Sequence, residues 1–234
     1  MSSVVRMSTS KHQGIEGASI ISYTYIASVY IYNGAVGVLR IRVAEARARL
    51  SLTQAQAAEL LATSQANISA YERGRLQPGR LVSERIKALA ALQPDSVYAT
   101  YSASTIPSAA AQIRTDLATN RSETDMLRVV IQASDDFHKL NNPTDRAFFL
   151  TEPSPTGSRE WDALIAGLAV HLCREAEMDR APMWTTNPAL SLDYIWWFGR
   201  AGEVKDLRAR AVREAIPSMR ARGVFFGRRN LESV

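Results

Sequence analysis

Between positions 50 and 78 the chain reads LSLTQAQAAELLATSQANISAYERGRLQP. Leu50, Ala57, Ala58, Leu60, Leu61 and Ile68 recur there at the spacing of one helical face. Thr53 begins a capping box with Gln56. The hydroxyl accepts from the amide three residues on, and the Gln side chain reaches back to the cap. Ser64 is placed to cap a second helix over 65–73 in the same way. Only Ala62 and Thr63 remain for the turn between the two.

Two short helices joined this tightly form a helix-turn-helix, the unit that sets its second helix into a DNA major groove. The flanks extend the pattern. Residues 39–50 carry Ile41, Val43, Ala44, Ala46, Ala48 and Leu50 as an apolar face, with Arg40, Arg42, Arg47 and Arg49 as charge. Gly74 can take the positive φ that ends a helix, and Pro78 and Gly79 continue the loop. A further helix over 81–92 carries Leu81, Val82, Ile86, Leu89 and Leu92. Residues 39–92 thus read as a four- to five-helix DNA-binding domain.

The pattern L-T-Q-x(4)-L-L-x(2)-S-Q-x(2)-I-S-x(2)-E-R-G, running on to a proline, resembles the Xre/Cro family of phage-repressor-like helix-turn-helix regulators. Ala62 stands in the turn where that family often has glycine. The resemblance implies roles for matching positions. Gln65, first in the recognition helix, reaches a base edge, and a Gln amide can bond adenine in both directions. Ala66 and Ala70 face the groove, with Asn67 and Ser69 as polar neighbours. Gln54 bonds a phosphate and helps hold Gln65, while Thr53, Ser64, Arg73 and Arg75 join it on the phosphates. Arg47 and Glu72 match a pair that forms an internal salt bridge in the family.

Charge is distributed in blocks. Residues 1–38 carry +1, 39–92 carry nine Lys/Arg against four Asp/Glu (+5), 93–193 eight against fourteen (−6), and 194–234 nine against four (+5). A basic module beside an acidic one points to nucleic acid at one end and another kind of contact beyond it. The single cysteine, Cys173, excludes an intramolecular disulfide framework and fits a reducing, cytoplasmic setting.

Residues 1–38 form an atypical extension. Four of the eight tyrosines crowd into ISYTYIASVYIYNG, and arginine and alanine are scarce. It reads either as an arm or edge strand or as translated upstream sequence, with Val36 or Val38 as the true start. Residues 93–122 read as a linker. Pro94, Ser96, Ser102, Ser104, Pro107 and Ser108 interrupt periodicity, leaving a short helix near 109–118.

Residues 123–234 read as a helical domain for dimerisation or partner binding. Ser122 with Asp125 starts a helix carrying Met126, Leu127, Val130, Ile131, Phe137 and Leu140. A short helix over 143–150 follows Asn142, and Ser158 caps a long one with Trp161, Leu164, Ile165, Leu168 and Leu172 on one face. Residues 205–216 form a further helix ending at Pro217, and 223–226 a short extended piece. All four tryptophans, Trp161, Trp184, Trp196 and Trp197, lie here. They read as core or as a partner-binding face. SPTGSREWDALIAGLAVHL, with PMW, WWF and RGVFF, resembles the C-terminal domain of bacterial helix-turn-helix antitoxins encoded beside nucleotidyltransferase-like toxins.

No Gly-rich phosphate loop or Cys/His metal cluster is present, and His12, His138 and His171 lie far apart. His171 and Cys173 fall on different helix faces, and Asp135–Asp136 and Glu160/Asp162 read as solvated helix charges, so no enzyme, cofactor or metal is expected. The sequence therefore predicts a mainly α protein with at most a short β element. It is expected to bind operator DNA as a homodimer, and the C-terminal resemblance implies an antitoxin that represses its own operon and neutralises a toxin. A stand-alone repressor with a ligand-sensing domain and a protein-interaction adaptor are the alternatives.

Overall fold

In the computed structural model, residues 38–199 and 205–231 are described. The tyrosine-rich extension lies outside them. The described residues are mainly helical, with ten α-helices and one short two-stranded parallel sheet.

Side-chain caps open most of the helices. α1 spans Val38–Arg49. α2, Gln54–Leu60, is closed at its start by the Thr53–Gln56 capping box, and α3, Gln65–Glu72, by Ser64. α4 is Arg80–Ala91. Between α2 and α3, Ala62 takes φ +50, the left-handed conformation where glycine is cheapest.

The stretch expected as a linker is instead packed structure. Val97–Thr100 forms a 3-10 turn with Tyr98 fully buried, its ring edge-on to Phe148 at 4.8 Å. α5, Ile106–Ala118, begins three residues earlier than periodicity suggests. Thr105 and Ser108 cap each other's backbones there, and Pro107 sits in the first turn, where its missing N–H costs nothing. Ile106, Ala110 and Ile113 are fully buried. Of the serines and prolines that read as chain breakers, Ser96, Pro107 and Ser108 are helix-start residues.

α6, Glu123–His138, has the Ser122–Asp125 box; α7, Pro143–Phe149, is capped by Asn142; α8, Arg159–Glu175, by Ser158. Two 3-10 turns, Met183–Thr186 and Pro188–Leu190, lead to β1, Trp196–Trp197. α9, Lys205–Glu214, stops two residues short of its expected end, and Pro217 opens α10, Pro217–Arg220. β2, Val224–Phe225, pairs parallel with β1, Trp196 opposite Val224. Arg228–Leu231 is a last 3-10 turn.

α8 is the central helix. Its buried side chains run from Trp161 to Cys173, and α10 lies close against it. A Cβ on Gly167 would stand 2.7 Å from Met219 Cγ and 2.9 Å from Met219 Cα, so only glycine permits this approach. Ser218 Oγ donates to Gly167 O across the same contact at 2.7 Å.

The first four helices and the rest share one apolar core, from Val43 through Leu61, Ile106 and Phe148 to Phe226. Arg85 joins them from within. It is fully buried on α4, donates from Nη1 to Leu61 O at 3.0 Å, and donates from Nε and Nη2 to Glu152 O at 3.0 and 2.8 Å. No helix among the described residues is long and apolar enough to cross a membrane.

Candidate nucleic-acid interface

The helix-turn-helix is held by a small polar network. Arg47 of α1 donates from Nε to Glu72 Oε1 at 2.8 Å and from Nη1 to Leu52 O at 2.8 Å. Gln54 Nε2 donates to the other Glu72 oxygen at 2.6 Å. The Glu72 side chain is 12% exposed, so solvent screens these bonds little. One carboxylate therefore ties the end of α3 to α1 and to the first turn of α2. Arg47 and Glu72 are the pair singled out by the family resemblance. Gln54 departs from the expectation: its amide grips Glu72 and not Gln65, because Glu72 is the charged acceptor within reach.

Two caps shape the outward edge. Thr53 Oγ1 accepts from Gln56 N at 3.2 Å, and Gln56 Oε1 accepts from Thr53 N at 2.8 Å. Ser64 Oγ accepts from Asn67 N at 3.1 Å. Both caps use the oxygen lone pairs and leave a hydroxyl hydrogen able to donate outward. Ser64, Gln65 and Ala66 are exposed and consecutive, with Thr53, Arg73 and Arg75 also exposed.

The remaining positions sort differently. Asn67 is half-buried, and its Nδ2 donates back to Thr63 Oγ1 at 3.0 Å, which fastens the turn. Ser69 accepts from the Arg73 guanidinium, so these two side chains form a local pair along α3. Ala70 is half-buried. Gln65 and Ala66, at the N-terminal end of α3, are exposed and take no part in this network.

The tryptophans divide. Trp161 is 4% exposed and lies edge-on to Trp196 at 5.5 Å and Phe198 at 6.0 Å, so it is core and not a docking surface. Trp184 is half-buried and donates from Nε1 to Leu150 O at 2.9 Å. Trp197 is half-buried on Phe225 at 4.6 Å, with the Arg208 guanidinium 5.9 Å from its ring. Next to the tryptophans in sequence, Met183 is 80% exposed, Ile195 53% and Tyr194 43%. Trp161 thus follows the core reading, and Trp184, Trp196 and Trp197 are half-buried.

Carboxylates expected in solvent are partly structural. Asp136 is buried and accepts from Ser104 N, Gln132 and Lys139, each at 2.8 Å. Asp162 Oδ1 accepts from Thr156 N and Oγ1 at 2.8 Å. Burial pushes the Cys173 thiol up to about 11, which removes its thiolate at neutral pH. No group of three or more His, Cys, Asp or Glu among the described residues is arranged to hold a metal ion.

Compared with family models, with curated proteins and with solved structures, the chain matches none. The reading of this surface therefore rests on its own residues.

Proposed function

We propose that the chain is a sequence-specific DNA-binding regulator that enters the major groove with the N-terminal end of α3. The observation that carries this reading is the exposed run Ser64–Gln65–Ala66 on a helix anchored from behind by Glu72. A rigid, shallow surface with one long amide among small side chains suits a base edge. Arg73 and Arg75, exposed just beyond the helix, suit phosphates. Few base contacts per copy favour a two-fold dimer on a two-fold site.

We further propose that it is the antitoxin and autorepressor of a toxin operon in the cytoplasm. The C-terminal resemblance supports this, and Met183, Tyr194 and Ile195 supply exposed apolar contacts for a protein partner. Steric exclusion of polymerase by the bound dimer accounts for repression.

The test has two arms. Arg73→Ala lowers the slope of log affinity against log salt by about 0.9 on DNA from upstream of its own gene; an unchanged slope removes the phosphate role. In cells, a neighbouring gene expressed alone arrests growth and this chain relieves the arrest. Arrest without relief leaves a stand-alone repressor, and absence of any DNA shift at low salt leaves a protein-binding adaptor.

A further inference from the structure

A cleft of about 910 Å³ opens between the α2–α3 turn and the outer sides of α5 and α6. Ser64 and Gln65 line one side, Gln112 and Thr115 of α5 and Arg128 and Gln132 of α6 the other. Alanines and Val129 make up much of the lining, and set among them are hydroxyls, amides and two guanidinium groups, the donors that bind phosphodiester oxygens.

We propose that this cleft holds the sugar-phosphate backbone beside the bases faced by α3, so that DNA contact extends from the helix-turn-helix onto α5 and α6. The inference rests on the DNA-binding reading and adds to it a second contact surface. Continuity supports it first. Ser64 and Gln65 belong both to the base-facing edge and to the cleft wall. A major groove is only about 12 Å wide, so a duplex seated on the start of α3 brings a bordering strand against neighbouring walls.

Charge supports it second. Arg128 is 72% exposed, and its partner is Asp125, 2.8 Å away and 34% exposed. An exposed pair of this kind is weak, so the guanidinium can exchange the carboxylate for a phosphate. Arg114 adds a second cation, anchored by donation from Nη1 to Pro155 O at 3.1 Å. Gln112 and Gln132 are fixed by bonds to Asp116 and Asp136, each 2.8 Å, and each amide keeps a second N–H. Glu59 is the one carboxylate on the lining and opposes a phosphate there.

The experiment measures salt dependence of binding by the full chain to a duplex from upstream of its gene. Arg128→Gln, at an exposed position, lowers the slope by about 0.9 and leaves base preference unchanged. Glu59→Gln tightens binding at low salt. Arg73→Ala, run beside them, reports on the helix-turn-helix itself. If Arg73→Ala lowers the slope while Arg128→Gln and Glu59→Gln change nothing, the cleft proposal is overturned and DNA binding stands. If the unaltered chain binds no DNA at low salt, both fall.

Discussion

At the scale of single residues, Ala62 marks where the chain holds strain for its turn. A left-handed L-residue costs about 1–2 kcal/mol, and glycine removes that cost while adding freedom to the unfolded chain. Ala62→Gly is therefore expected to stabilise the fold by about 0.5–1 kcal/mol in chemical denaturation. A loss of stability would show that the methyl makes a favourable contact in the turn. The turn itself was readable from Thr53, Ser64 and the two residues left between the helices. The sign of φ at Ala62 was not, because nothing local marks an alanine for that conformation.

His171 sets a residue-scale dependence on pH. It is 6% exposed on α8, and its Nε2 lies 3.4 Å from Glu175 Oε1; His138 Nε2 lies 3.4 Å from the other oxygen. Burial lowers the His171 pKa below its ordinary 6.5, against the pull of Glu175 and with help from Arg228, His138 and Arg174. Below pH 6.5 the unfolded chain then binds more protons at this group than the folded one. The stability it contributes is fully present above that pH and is lost as pH falls toward the depressed value. His171→Gln should flatten the stability profile over that window. Parallel profiles for the two proteins would remove His171 as the cause.

At the scale of elements, the packing of α8 on α10 depends on Gly167. Gly167→Ala forces the methyl into Met219 and is expected to cost about 1–3 kcal/mol in an unfolding titration. An unchanged midpoint would mean that α10 moves away at no cost. Helix starts were the most legible elements, because a cap is a local event: Ser64, Ser122, Asn142 and Ser158 each stand one residue before a helix. α5 was foreshortened because its cap pairs Thr105 with Ser108, and serine at the third position reads as a loop former. The parallel pairing of Trp196 with Val224 joins segments far apart in sequence, and no local pattern announces it.

At the scale of the molecule, the described helices form one body where composition suggested two joined by a tether. Arg85 is the clearest reason. On a helix it reads as a solvent-facing charge, yet its partners include the carbonyls of Leu61 and Glu152, one at the end of α2 and one in the loop before α8. Burial draws its pKa down to about 10, with Arg114 adding to the effect, so it stays cationic at neutral pH. Arg85→Met leaves both carbonyls without a donor and is expected to cost about 2–4 kcal/mol, within a single cooperative transition. Two separate transitions, with only the first sensitive to Arg85, would contradict the one-body description. The candidate surface was legible as a motif. The exchange of Gln54 from Gln65 to Glu72 and the cleft against α5 and α6 were not, since both depend on which elements meet.

Base reading by Gln65 is the contact on which the proposed function turns. Its direct test is equilibrium binding of the full chain and of Gln65→Ala to a bound upstream duplex and to versions changed one base pair at a time. The variant is expected to lose about 1–3 kcal/mol on the original duplex and no longer to distinguish one particular base pair, with other preferences kept. A variant that binds every duplex as the unaltered chain does would contradict it.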